Sequence, residues 1–253
     1  LCELYYTQDR PERDNVVPQK VSHLLYRVLE VAKPSSCSPE LKRLYAIREG
    51  LSKVDFADQS ASTVRNLLVR AIIHPPILKA REGCKFLGIL FLLDSTLVDQ
   101  LHQAVKCQLR SCHKWQVDAY AEVYFRAWRT SSGQARVRIE KKCIQDLIHL
   151  AINVAALVAQ LARILSYFHG KKPLQGVDEM LCRLYRPILW RSLQVANPLV
   201  RKNATLLFFD AFPLQDPDSP QREIDEALQE QFGFFTSLLK DPNDAVRRVS
   251  ILG

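Results

Sequence analysis

Glycine is scarce in this chain, at 8 of 253 residues, under half the share of about 7% usual in globular proteins. Folds that use glycine freely, in hairpin turns, phosphate-cradling loops or dinucleotide fingerprints, are disfavoured, and neither GxGxxG nor GxSxG occurs. The seven cysteines (Cys2, Cys37, Cys84, Cys107, Cys112, Cys143, Cys182) are odd in number, scattered and never spaced as CxxC. That pattern encodes neither a disulfide framework nor a zinc ribbon and points to a reducing compartment. Cys107, Cys112 and His113 lie close together without a second ligand pair, and the six histidines form no HExxH, so no metal or other cofactor is expected. No stretch sustains the alternation of a strand. The most apolar region, residues 146–168, is interrupted by Asp146, His149, Asn153, Gln160 and Arg163. It reads as one buried helix and not as a membrane span.

What is present is a helical grammar. Hydrophobic residues make up 47% of the chain, ample for a core, and turn signals fall at residues 9–18, 33–39, 74–76, 129–134, 169–176, 213–220 and 241–242. Ser38-Pro39, Asn197-Pro198, Ser219-Pro220 and Asp241-Pro242 each pair a capping side chain with a proline, whose missing N–H costs nothing in a first turn. Gly50 supplies a stop for the helix that Ser38 opens. Val177, Met180, Leu181, Leu184 and Ile188 form one stripe, in a helix that Pro187 should kink without ending. Residues 199–212 are apolar enough to require packing on both sides. Ile224, Leu228, Phe232, Phe235 and Leu239 make the stripe of the next helix, and residues 96–110 and 115–128 form an earlier pair.

Val200-Arg201 returns as Val246-Arg247, an interval of 46 residues within the range of HEAT and armadillo repeats. Helix pairs of this period cannot bury their apolar faces alone and stack on their neighbours. The predicted fold class is therefore all-α: an α-solenoid of stacked antiparallel helix pairs running through residues 1–253, with N-terminal helices over 1–73 and HEAT-like repeats over 84–253. With no initiator Met and a helical pattern still running at Gly253, the chain reads as part of a longer one.

The strings AEVYFRAWR (121–129), GVDEMLCRLYRPILWRSL (176–193), VRKNATLLFFDAFPLQDPD (200–218) and DPNDAVRRVSILG (241–253) resemble the HEAT-repeat G subunits of condensin, in their condensin II form. The likeness covers residues 84–253 in order. It implies a non-enzymatic subunit that binds the kleisin subunit of condensin II, joins the SMC ATPase pair through it, and helps the complex engage double-stranded DNA in mitotic chromosome condensation in the nucleus. It implies no membrane and no small-molecule substrate.

Charge is the remaining signal. The chain carries +8, yet residues 126–202 hold 14 Lys and Arg against 4 Asp and Glu, an excess of +10, leaving −2 for the rest. Arg126, Arg129, Lys141, Lys142, Lys171, Lys172, Arg183, Arg186, Arg191, Arg201 and Lys202, with Arg136 and Arg138, recur near helix ends and turns, where neighbouring repeats would align them. Two readings fit: phosphate contact without base reading, or an ordinary solvated face. The resemblance favours DNA, and the first eleven are the expected contacts. Arg201 and Arg247 carry a further alternative, since their offset after a capped turn suits a bond to a neighbouring repeat or its turn. Trp115, Tyr120, Tyr124, Phe125, Trp128, Tyr185 and Trp190 fall on apolar stripes and read as core, not as stacking platforms for bases. A scaffold receiving acidic protein segments in transport or assembly is the alternative function. An enzyme would need a convergent polar pocket for which the sequence offers no actor.

Overall fold

The computed structural model describes residues 13–30 and 34–252 of the chain. Cys2 and the side chain of Cys37 lie outside this description. Every regular element among the described residues is helical, as the predicted all-α class requires. The helices stack in pairs within two compact units, Leu1–Cys143 and Ile144–Gly253.

The first unit contains α1 (Arg13–Glu30), α2 (Pro34–Ala46), α3 (Arg48–Leu51), α4 (Ser62–Ile72), α5 (Pro75–Lys79), α6 (Arg81–Leu90), α7 (Ser95–Gln108), α8 (Lys114–Thr130) and α9 (Gly133–Arg138). Two boundary expectations fail here. Pro18 and Pro39 sit inside α1 and α2, and Gly50 is a buried member of α3, not the stop of α2. Helix α1 packs on α4, and α2 on α6, so tertiary burial outweighs the one backbone bond that each proline forfeits. Asp94 opens α7 by accepting from Thr96 N–H at 2.8 Å and Leu97 N–H at 3.2 Å, a cap of the usual kind. The core lies between α6 and α8, where Phe86, Phe91, Tyr120, Tyr124 and Trp128 are buried. Each such ring removes roughly 150–250 Å² from water, about 4–6 kcal/mol of gross transfer energy. Gly83 is required by close approach: a Cβ there would fall 1.8 Å from the Ile77 carbonyl oxygen.

A π-helical turn, Ile139–Ile144, leads into α10 (Gln145–Asn153), followed by α11 (Val158–His169), α12 (Val177–Ser192), α13 (Pro198–Ala211), α14 (Gln221–Leu239) and α15 (Asp244–Leu252). The single helix expected over 146–168 is two. The chain bends by 113° between the segment ending at Asn153 and that ending at His169. Asn153 Nδ2 closes the first by donating to the His149 carbonyl at 2.8 Å, and Val154 is extended. No single described helix is long and apolar enough to cross a membrane.

Helix α12 runs through Pro187 with its predicted stripe buried, entered by Gly176 at φ +78°, a left-handed value that suits glycine. Asn197 caps α13 as expected, accepting from Leu199 N–H at 3.0 Å. Ser219 does not cap α14, and Asp241 lies two residues too early to cap α15: it accepts from Asn243 N–H at 2.8 Å, and Asn243 accepts from Ala245 N–H at 3.0 Å. Helix α13 packs on α10, α11 and α12 and, on the other side, on α15, as its apolar content requires, with Leu199 and Leu206 left exposed.

The stripe of α14 is turned from its expected direction. Gln231 and Leu238 are buried, whereas Phe232 and Leu239 are exposed. Gln231 explains the rotation: its Oε1 accepts from Leu214 N–H at 2.9 Å and its Nε2 donates to the Leu214 carbonyl at 2.9 Å. A buried amide that pairs both backbone groups of one residue fixes the helix's facing more tightly than an apolar ring would.

Candidate nucleic-acid interface

The eleven cations expected at phosphates separate into those held within the fold and those at the surface. Arg201 is the most firmly held. Its Nε and Nη2 donate to Asp241 Oδ2 and Oδ1 at 2.7 and 2.8 Å, while Nη1 donates to the carbonyls of Val195 and Ala196, both at 2.8 Å. Both side chains are largely buried. The hydrogen bonds from Arg201 hold the Asp241 carboxyl below the ordinary carboxylate range and raise Arg201 in return. Arg247 repeats the geometry one period later, its Nη1 donating to the carbonyls of Asp241 and Pro242 at 2.7 and 3.1 Å. Arg201 thus bonds both its own turn and the next repeat, whereas Arg247 bonds its own turn and helix.

Lys172 is also internal. Its Nζ donates to the carbonyls of Ala211 and Pro213, both at 2.5 Å, with Asp178 at 3.8 Å. Burial lowers its pKa against the opposing pull of Asp178 and Asp210. Three more are paired nearer the surface: Arg126 with Glu122 at 2.6 Å, Lys142 with Asp99 at 3.1 Å, and Arg186 with Glu230 at 2.8 Å. Such exposed pairs are worth about 0–1 kcal/mol and can exchange partners.

In the second unit Arg183 and Arg191 are exposed on α12, Lys202 is half-buried on α13, and Lys171 lies over the Tyr167 ring at 5.3 Å. In the first, Arg129 is exposed at the end of α8 and Lys141 on the π turn, beside half-buried Arg138. Lys141, Arg191 and Lys202 form no ion pair among the described residues. Arg136 donates to the Ser131 carbonyl at 3.1 Å and lies 5.3 Å from the centre of the Trp128 ring, and that indole N–H donates to buried Glu140 at 2.9 Å. The rings behave as core: Tyr120, Tyr124, Phe125, Trp128 and Tyr185 are buried, with Trp115 and Trp190 partly so.

One constellation escaped the sequence because its members are far apart in the chain. His169 Nδ1 lies 2.7 Å from Asp210 Oδ2 and its Nε2 lies 2.8 Å from the Tyr185 hydroxyl, while Ser166 donates to the same carboxylate at 2.5 Å. His102 and Tyr124 make a comparable buried contact at 2.6 Å in the first unit. Desolvation raises Asp210, but the bonds from His169 and Ser166, with the charges of His169 and Lys172, bring it below the ordinary range overall. These groups tie α11 and α12 to α13. Among the described residues no group of His, Cys, Asp and Glu is arranged to hold a metal, and Cys84, Cys107, Cys112, Cys143 and Cys182 are free thiols.

Stacked helix pairs with a 46-residue arginine relay and surface cations are shared by many scaffolds; sequence relationship decides among them. The profile of the family described as condensin II non structural maintenance of chromosomes subunit matches residues 70–216, more than half of the chain. The chain belongs to the condensin II non-SMC subunit family. Curated condensin II relatives named Condensin-2 complex subunit G2 are similar along all of this chain: that of Danio rerio is 39% identical over 256 residues, that of Xenopus laevis 35% over 256, and that of Homo sapiens 36% over 257. The similarity therefore includes residues 1–73. The chain spans 22% of the length of each of these relatives. Among solved structures, a designed armadillo repeat protein in complex with the peptide (KR)4 aligns loosely, with a TM-score of 0.34 at 12% identity over 91% of this chain and 96% of that one.

Proposed function

We propose that this condensin II family chain is a non-catalytic helical-repeat module that binds the kleisin subunit, joins the SMC ATPase pair through it, and contributes phosphate contacts to duplex DNA on chromosomes in the nucleus. Family membership over the full chain carries the reading. The cations that form no ion pair among the described residues, Lys141, Arg191 and Lys202, supply its chemistry, together with exposed Arg129 and Arg183 and with Lys171. The surface pairs of Arg126, Lys142 and Arg186 add cations that a phosphate can recruit from their carboxylates. Lys172 and Arg201 serve the fold instead. Several weak phosphate contacts give slight sequence preference, and the kleisin limits release.

The test is duplex binding across a salt series, with and without a kleisin segment. The Lys141→Ala/Arg191→Ala/Lys202→Ala variant is expected to bind more weakly, with a log–log slope shallower by up to about 0.9 for each phosphate that the protein no longer neutralises. An Arg183→Ala/Arg186→Ala/Arg191→Ala variant tests the α12 face in the same way. Equal slopes in wild type and both variants would sink the DNA reading and leave these cations either to an acidic protein segment or to solvent.

A further inference from the structure

Two Ser-Pro steps occur in the chain, Ser38-Pro39 and Ser219-Pro220, and no Thr-Pro step. They differ in sequence and in setting. Ser219-Pro220-Gln221-Arg222 carries a cation three residues after the serine, where Ser38-Pro39-Glu40-Leu41 carries a leucine that is buried. Ser38 lies inside α2, whereas Ser219 lies outside any helix, in the connector between α13 and α14. Pro220 follows it at φ −55° and ψ 143°, the values of an extended, polyproline-like backbone. The Ser219 hydroxyl forms no hydrogen bond among the described residues and does not cap α14.

A kinase holds the acceptor hydroxyl of its substrate in line with the γ-phosphoryl group of ATP, which an extended connector allows and a packed helical turn does not. Proline after the acceptor suits a subsite that offers no partner to a backbone N–H, since proline has none. A guanidinium two residues further on suits an anionic subsite. We propose that Ser219 is a phosphorylation site for a proline-directed kinase, and that its phosphate is then held by Arg222 in the first turn of α14. Ser219 Oγ attacks the γ-phosphorus of ATP: the Oγ–P bond forms while the bond from that phosphorus to the β,γ-bridging oxygen breaks. The hydroxyl proton passes to a carboxylate of the kinase, and ADP leaves. The product adds a charge of about −1.5 to −2 at pH 7, which Asp216 and Asp218 repel from the connector side. Arg222 Nε pairs with Glu226 at 2.9 Å in a pair open to water, and a phosphate is the stronger partner for it. First-turn N–H groups have no helical partners, and the helix dipole adds to the attraction. The inference is independent of the DNA reading.

The test treats the 253-residue chain with a proline-directed kinase and ATP and locates the phosphate by mass spectrometry. Incorporation is expected at Ser219, with Ser38 unmodified. Ser219→Ala and Pro220→Ala should each abolish it, and Arg222→Ala should lower the kinase's kcat/KM for the chain roughly tenfold, the worth of one charge-assisted hydrogen bond. No incorporation at Ser219 in the folded chain would overturn the proposal, even where a peptide of residues 213–226 is phosphorylated, since the fold would then block the site. Equal labelling of Ser38 would also overturn it. Phosphorus NMR tests the role of Arg222: the second pKa of the phosphate should lie lower with Arg222 present than after Arg222→Ala. A value that the substitution leaves unmoved would show that Arg222 does not hold the phosphate.

Discussion

At the scale of single residues, position decides whether a charge is structural. Arg201 bridges two repeats with four hydrogen bonds in a largely dry setting, so Arg201→Ala strands the Asp241 carboxylate and is expected to cost about 3 kcal/mol, read from urea unfolding. The pH dependence has a definite sign. A carboxyl whose folded pKa lies below its unfolded value of about 3.9 adds stability above that value and loses it as pH falls through the depressed one. The stability advantage of wild type over Asp241→Asn should therefore be constant above about pH 5 and shrink below about pH 4. An advantage that persists undiminished at pH 2 would show that the pair does not set it. Tyr185→Phe removes only the hydroxyl that His169 Nε2 meets and leaves that buried nitrogen without a partner. About 1–3 kcal/mol of stability is the expected loss, with the basic surface untouched and DNA binding at low temperature unaltered.

At the scale of elements, helices were readable where apolar residues alone carry the facing, and misread where a polar group does. The stripe of α12 lies where Val177, Met180, Leu181, Leu184 and Ile188 put it. The stripe of α14 does not, because Gln231 turns inward to pair with Leu214, and no periodicity of hydrophobic residues reports an amide that pairs with backbone. Gln231→Leu should cost about 1–3 kcal/mol and raise hydrogen exchange across residues 212–220, whose backbone loses its clamp. If exchange there is unaltered, the clamp does not hold the connector. Helix α6 presents the opposite limit, a contact with no space. Gly83→Ala places a methyl group against the Ile77 carbonyl, and the resulting displacement of α5 from α6 is expected to destabilise by roughly 1–3 kcal/mol, measured as a lowered thermal midpoint.

For the whole molecule, a separation of effects follows. Neutralising Lys141, Arg191 and Lys202 should change the salt slope of DNA binding with the unfolding midpoint preserved, because none of them forms an ion pair among the described residues. Lys172→Ala should do the reverse: its ammonium satisfies two carbonyls at the end of α13, so stability falls while the slope stays. A Lys172→Ala variant of normal stability with a shallower slope would return Lys172 to the DNA-facing set.

The sequence by itself determined the helical class, the 46-residue period and the offset at which Arg201 and Arg247 recur, because these depend on local spacing, capping and scarcity of glycine. It also carried the family likeness. The tertiary structure alone decided which cations are available. The partners of Arg201, Lys172 and Lys142 stand about forty residues away, and a charge count along the chain is blind to such pairings. It decided likewise that Phe232 and Leu239 face outward, where the buried bonds of Gln231 to Leu214 outweigh the preference written in the local pattern, and that residues 146–168 break at Val154, whose backbone is extended.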